Sequence, residues 1–228
     1  MGLKGFSSFY VLQLSNIPTF HYSSIEVGIG QINTYKFNWL QKFRDVYLAD
    51  NTGSLVSAKK ISDFLKSHKI NISPNVVLNY LSHLESAFYI LKVRCSEIAG
   101  KKIFEIGEKY YFEDLGLRHA IIGYRQADIG RVLENLVFIH LKRSGYEITV
   151  GRIGGKEIDF ACEKNGEGLY VQVAYMITDQ SVHGREFGNL LEIRDKFAKI
   201  VVSMDEMTGG KFKGIRHVNI KDFLVSAF

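Results

Sequence analysis

Ile153-Gly154-Gly155-Lys156-Glu157-Ile158-Asp159-Phe160-Ala161-Cys162 is the stretch from which the fold is read. Gly154-Gly155 marks a tight turn, and the residues after it alternate as a half-buried strand does. Ile158, Phe160 and Cys162 fall on one side, Glu157 and Asp159 on the other. Working backwards, Tyr146, Ile148 and Val150 alternate as the preceding strand. Before that, Asp128 to Ser144 reads as a long helix stopped by Gly145. Val132, Leu133, Leu136, Val137, Phe138, Ile139 and Leu141 surround that helix, which predicts burial nearly all round. Working forwards, Lys164-Asn165-Gly166 turns into a third strand, Leu169 to Tyr175. A helix over 182–197 and strands over 200–203 and 215–220 complete the pattern. The order αβββαββ predicts an α/β (α+β) fold with a mixed sheet over residues 126–228.

Residues 39–125 carry a different pattern. Trp39-Leu40, Phe43 and Val46-Tyr47 recur at helical spacing and end before Asp50-Asn51-Thr52-Gly53, a turn signal. Ser57 is placed to cap a helix whose inner face is Ile61, Phe64 and Leu65. Ser73 is placed to cap another, with Pro74 at its first position and Val77, Tyr80, Leu81 and Leu84 on one face. Strands over Phe88–Val93 and Ile103–Ile106, joined across Ala99-Gly100-Lys101-Lys102, then give three helices followed by a hairpin. That is the order of a winged helix-turn-helix. Residues 1–38 are rich in aromatics but hold no sustained period and are left unassigned.

Three polar residues interrupt the apolar pattern of the second segment. Glu134 lies in the buried helix, Asp159 on the second strand and Gln172 on the third, 25 and then 13 residues apart. At these residues the sequence resembles the PD-(D/E)XK (restriction-endonuclease-like) fold. The resemblance implies a glutamate on the first helix, an aspartate on the second strand and an acidic-x-lysine triplet on the third, gathered around a divalent metal. Carboxylates supply the oxygen ligands a hard cation needs, and the lysine stabilises charge on the scissile phosphate. Here the triplet is Gln172-Val173-Ala174, so the amide contributes less to a cation and Ala174 contributes nothing. The expectation is a degenerate site without catalysis and without a cofactor, Glu134 and Asp159 being weak candidates to hold magnesium. Lys156 and Lys164, the lysines considered as replacements, both lie in turn-like sequence. For either acid alone, an ordinary ion pair or a polar position on an alternating strand is the simpler account.

A second resemblance runs from about Trp39 to Leu224. Ser57-Ala58-Lys59-Lys60-Ile61, Tyr80-Leu81-Ser82-His83-Leu84, Lys109-Tyr110-Tyr111-Phe112-Glu113-Asp114-Leu115-Gly116-Leu117-Arg118 and Glu134-Asn135-Leu136 carry its first part. Glu157-Ile158-Asp159-Phe160, Val171-Gln172-Val173-Ala174-Tyr175 and Arg185-Glu186-Phe187 continue it in order. The succession is similar to the C-terminal domain of unknown function of prokaryotic AAA+ family ATPases. That resemblance implies a winged helix joined to a nuclease-like fold, following a P-loop module and sharing the Gln-x-Ala form. A P-loop needs Gly-x-x-x-x-Gly-Lys followed by Ser or Thr. The pairs Gly100-Lys101, Gly155-Lys156 and Gly210-Lys211 lack that continuation.

Charge divides unevenly. Residues 40–125 hold thirteen Lys and Arg against nine Asp and Glu, whereas residues 126–228 hold fourteen of each. Lys92, Arg94, Lys101, Lys102 and Lys109, in and beside the hairpin, are therefore candidate phosphate contacts. The helix in the recognition position presents Asn75, Asn79, Ser82 and His83 outward without a lysine or arginine, which favours sequence-independent contact. Seven histidines show no metal-binding spacing, no Gly-x-Ser-x-Gly elbow is present, and Cys95 and Cys162 belong to no Cys-x-x-Cys pair. No apolar run approaches the roughly 20 residues of a membrane span. The sequence thus predicts a cytoplasmic, non-catalytic DNA-binding or regulatory module, with DNA or an AAA+ ATPase as partner. A metal-dependent nuclease and a protein-interaction platform are the alternatives.

Overall fold

A computed structural model of the chain describes residues 46–100, 102–177, 180–206 and 210–226. Residues 1–38, the helical pattern at Trp39, Leu40 and Phe43, and Lys101 lie outside them. The first described elements are a helical turn α1 (Leu48–Asp50) and a two-residue strand β1 (Leu55–Val56). Helix α2 (Ala58–Ser67) begins where the Ser57 side chain accepts from Lys60 N at 3.3 Å. Helix α3 (Pro74–Ser86) begins where Ser73 accepts from Val76 N at 3.4 Å, with Pro74 in the first turn. Both caps satisfy amides that the helix itself leaves open.

The hairpin β2 (Ile90–Glu97) and β3 (Lys102–Phe112) follows, and β1 pairs antiparallel with β3 along its outer edge. β3 runs well past the expected end at Ile106. Gly107, at φ 91°, breaks the side-chain alternation without ending the strand, and pairing from both β1 and β2 carries it on to Phe112. Helix α4 (Leu115–Ile122) then leads into the long helix α5 (Ile129–Arg143). Strands β4 (Glu147–Ile153), β5 (Lys156–Lys164) and β6 (Glu167–Val173), helix α6 (Gln180–Leu191), strands β7 (Ala198–Ser203), β8 (Lys211–Phe212) and β9 (Ile215–Asn219), and helix α7 (Ile220–Val225) complete the chain. The expected order αβββαββ of the second segment is present, with the short β8 added before β9 and helix α7 after it.

Among the described residues, all nine strands belong to one mixed sheet, ordered β1-β3-β2-β4-β5-β6-β7-β9-β8. Helices α5 and α7 cover one face: Leu133, Val137, Phe138 and Leu141 pack with Phe160, Val171, Ile220 and Phe223. Helix α6 covers the other through Phe187 and Leu190 against Ile158, Tyr170 and Val201. The fold is therefore a mixed α/β architecture with apolar helix stripes buried on a central sheet.

The segments set apart in sequence at residues 125 and 126 are joined in space, and residues 41–228 form one compact unit. β2 pairs in parallel with β4 through Cys95, Ser96 and Glu97, so the β2–β3 hairpin and the strands of the second segment belong to one sheet. Arg118, fully buried, donates to Ala49 O at 3.0 Å and to Asp128 Oδ2 at 2.8 Å. Asp128 also accepts from Arg125. Burial alone would raise the Asp128 carboxyl; its bonds to the two guanidinium groups outweigh that and hold it below the usual range.

Candidate functional site

The site forms where α5 crosses β3, β5 and β6. Glu134 and Asn135 leave α5 side by side and both grip β3. Asn135, fully buried, accepts from Phe112 N and donates to Phe112 O, each at 2.8 Å. Glu134 Oε1 accepts from the Lys109 ammonium at 2.8 Å and from the Tyr111 hydroxyl at 2.7 Å. Lys109 and Tyr111 are two residues apart on a strand and so share a face. Tyr111 is fully buried and stacks on Phe138 at a centroid distance of 4.4 Å.

Strand β5 completes the cluster. Glu157 Oε1 lies 2.8 Å from the Lys109 ammonium and Asp159 Oδ1 lies 3.9 Å from it. Glu134 and Asp159 thus converge on one point, because two oxygens within 3.9 Å of a single nitrogen cannot lie far apart. Asp159 Oδ2 accepts from Val173 N at 2.8 Å, while Asp159 N points at Gln172 Oε1 at 3.4 Å. Ala174 is buried beside them and donates its backbone N–H to Val202 O. In front lies an open cleft of about 540 Å³, lined in part by Arg131, Glu134, Asp159, Gln172, Tyr175 and Arg185.

Charge governs this cluster. Lys109 is only 2% exposed, and burial alone would draw its proton affinity down. Glu134, Asp159 and Glu157 more than reverse that, so its pKa is raised and it stays an ammonium. Asp159 is instead shifted towards its neutral form: burial first, then the nearby Glu134 charge, raise its carboxyl well above the usual range. Burial also raises the Tyr111 phenol well above its ordinary value, so it acts as a neutral donor to Glu134.

A divalent ion at these residues does not fit the arrangement. The ammonium sits among the carboxylates that would surround the metal, and Glu134 Oε1 already takes two donors. Gln172 Oε1 faces Asp159 N, and position 174 offers no ligand. Magnesium requires short bonds of about 2.0–2.1 Å in near-octahedral geometry, which this packing leaves no room to build.

Two further residues of the cluster were not assigned from sequence, Lys109 as a site lysine and Glu157 as a third acid. Lys156 and Lys164, the replacements considered there, lie elsewhere. Lys156 pairs with Glu192, and the Lys164 ammonium lies 5.4 Å from the Tyr146 ring centre. The signal for Lys109 was parity with Tyr111, hidden because the alternation restarts across Gly107.

The candidate phosphate contacts are distributed differently from expectation. Lys109 is corrected: it is buried and held by three carboxylates, so no nucleic-acid phosphate reaches it. Lys92 is partly covered and lies 3.3 Å from Glu85 and 3.9 Å from Glu108. Arg94 is exposed on β2. Lys102 opens β3 opposite Glu97. On α3, Asn75, Asn79, Ser82 and His83 are exposed as expected, together with Val76 and Leu78.

Sequence comparison finds 39% identity over 180 residues with an uncharacterised protein of Haemophilus influenzae, covering 79% of this chain and 44% of that protein. An uncharacterised protein of Methanocaldococcus jannaschii is 29% identical over 128 residues, covering 54% of this chain and 28% of that protein. The chain therefore spans less than half the length of these relatives. No family model and no solved structure matches it. Among the described residues, no helix is long and apolar enough to cross a membrane.

Proposed function

We propose that the chain is a non-catalytic DNA-binding or regulatory module in which a nuclease-like site has become a structural lock. The observation that carries this reading is Lys109 from the hairpin, held among Glu134, Glu157 and Asp159. In a working site those acids would hold the metal; here they hold the winged-helix hairpin against the nuclease-like helix. The similarity to the C-terminal region of AAA+ ATPases adds the partner, a P-loop module. The relatives extend well beyond the matched region, which leaves room in them for a second module. Two buried, free cysteines accord with a reducing, cytoplasmic setting.

DNA contact on this reading is sequence-independent and made by the hairpin through Arg94, Lys101 and Lys102. In a gel-shift titration at several salt concentrations, unrelated duplexes should bind alike. Replacing the three residues with alanine should weaken binding to all of them and lower the log–log salt slope by about one per lost phosphate contact. No binding by the parent at low salt would move the assignment to a protein-interaction platform.

One observation favours a second reading. Lys109 brings a lysine within 3.9 Å of Asp159, so the positive group missing at Ala174 is supplied from another strand. A metal-dependent nuclease would then cut linear, supercoiled or branched DNA with magnesium or manganese, and Asp159→Ala would abolish the cutting. We expect no cutting by the parent protein.

A further inference from the structure

Tyr175 and Met176, both exposed, form part of the cleft wall between β6 and α6, and hydrogen bonds tie that wall to polar residues at the ends of β7 and β9. We propose that Ser203, Asp205 and His217 form a proton-sensitive latch that holds this wall near neutral pH and releases it in mild acid. The inference goes beyond the DNA reading and does not depend on what the hairpin binds.

The hydrogen bonds close on Asp205. Its Oδ2 accepts from the Ser203 hydroxyl at 2.8 Å and from Ile177 N at 3.0 Å, and its carbonyl O accepts from the Asn219 side chain at 2.8 Å. Met204 N donates to Tyr175 O at 3.0 Å. Two bonds thus join the wall to the segment after β7. His217 Nε2 lies 2.8 Å from Ser203 Oγ. Ser203 has one proton and a carboxylate only accepts, so that proton goes to Asp205. His217 therefore donates its Nε2–H to Ser203, which also accepts from Asp205 N at 3.1 Å. Ser203 is buried, so the network is closed to solvent at its centre.

The surroundings make the imidazole the sensitive member. His217 stands edge-on to Phe187 at a centroid distance of 5.8 Å, and His183 of α6 stacks on the same ring at 4.2 Å. Among the described residues, the titratable groups that face His217 are Asp205, whose Oδ2 is 3.7 Å away, and His183. Arg216, in register with Lys211, lies on the opposite side of the strand. Burial works against a charged His217, Asp205 favours it and His183 opposes it; burial prevails and holds the ring below the ordinary histidine range. A form with the wall released and the ring in water takes up a proton more readily. The latched form is therefore favoured above about pH 6.5 and yields as pH falls through its own lower value.

Amide exchange of the full chain, followed by NMR and corrected for the intrinsic pH dependence of exchange, reads the latch. The Ile177 and Met204 amides should be protected at pH 7.5 and lose that protection several-fold by pH 5.5, in step with the titration of the His217 ring. Amides inside β6 should keep theirs. His217→Gln retains a side-chain N–H for Ser203 without a titrating ring, and should keep Ile177 protected at both pH values. Ser203→Ala should expose Ile177 at both. Level protection of the parent across this range would overturn the proposal, as would an acid loss that persists in His217→Gln or an unchanged Ile177 in Ser203→Ala. A loss shared equally by the β6 amides, which marks global unfolding, would overturn it too. Should Ser203→Ala not fold, the profiles of the parent and His217→Gln decide.

Discussion

At the scale of single residues, Lys109 shows why a buried charge must be answered inside the protein. Breaking a buried ion pair by removing one partner is costly because the other is left charged without compensation. Here two acids, Glu134 and Glu157, touch the ammonium directly. In metal-free buffer, Lys109→Ala should therefore lose about 3–5 kcal/mol in urea unfolding. Lys109→Met, which refills the volume but not the charge, should recover only part of that. Equal stability of the Met variant and the parent would mean that packing, not charge, is what Lys109 supplies. Asn135 makes a different demand, since its amide satisfies both polar groups of Phe112. Asn135→Ala leaves a buried donor and a buried acceptor unpaired, each worth about 1–3 kcal/mol, and the urea midpoint should fall accordingly. Glu134 and Asp159 were legible because an acid in an apolar helix and an acid on an alternating strand stand out by type and spacing. Asn135 and Tyr111 were not, because each finds its partner across the contact between α5 and β3, a pairing no local pattern encodes.

At the scale of elements, legibility followed capping and periodicity and failed where a strand was irregular. Ser57 and Ser73 cap α2 and α3 as their positions predict, and α5 ends one turn-residue before Gly145. β1 was missed because two residues carry no period; only its pairing with Lys109 and Glu108 defines it. The loop before β1 is also tied to the site. Gly53 has φ 72°, and a Cβ there would stand 3.1 Å from Glu134 Oε2 and 3.2 Å from Oε1. Its N–H donates to Tyr110 O at 3.1 Å, which pins the turn to β3. Both the backbone conformation and the space call for glycine. Gly53→Ala should cost more than about 1 kcal/mol, seen as a lower urea midpoint at unchanged slope. A neutral result would mean that the Glu134 carboxylate has room to move, weakening the case for a fixed cluster.

At the scale of the whole molecule, the balance of buried titrating groups sets how the fold responds to acid. His119, His140 and His217 are all held below the ordinary histidine range, in each case by burial first. The neighbouring Arg118 adds to this at His119 and His183 adds to it at His217, while Asp205 opposes it at His217. A depressed folded pKa means that the unfolded chain binds the proton more readily. The stability these histidines supply is present above the unfolded value of about 6.5 and is lost as pH falls through the folded values. Asp128, also depressed, adds a loss of the same sign below the carboxylate range. Asp159 has the opposite sign. Its folded pKa is raised, so its contribution is fullest below the unfolded value near 3.9 and fades as pH rises. With three histidines against one carboxyl, the melting midpoint at constant ionic strength should decline from pH 6.5 to 5. Replacing the three histidines with glutamine should flatten the decline. Asp159→Asn, which removes the opposing titration, should steepen it. A midpoint that rises on acidification, and stops rising in Asp159→Asn, would show that protonation of the carboxylate cluster outweighs the histidines.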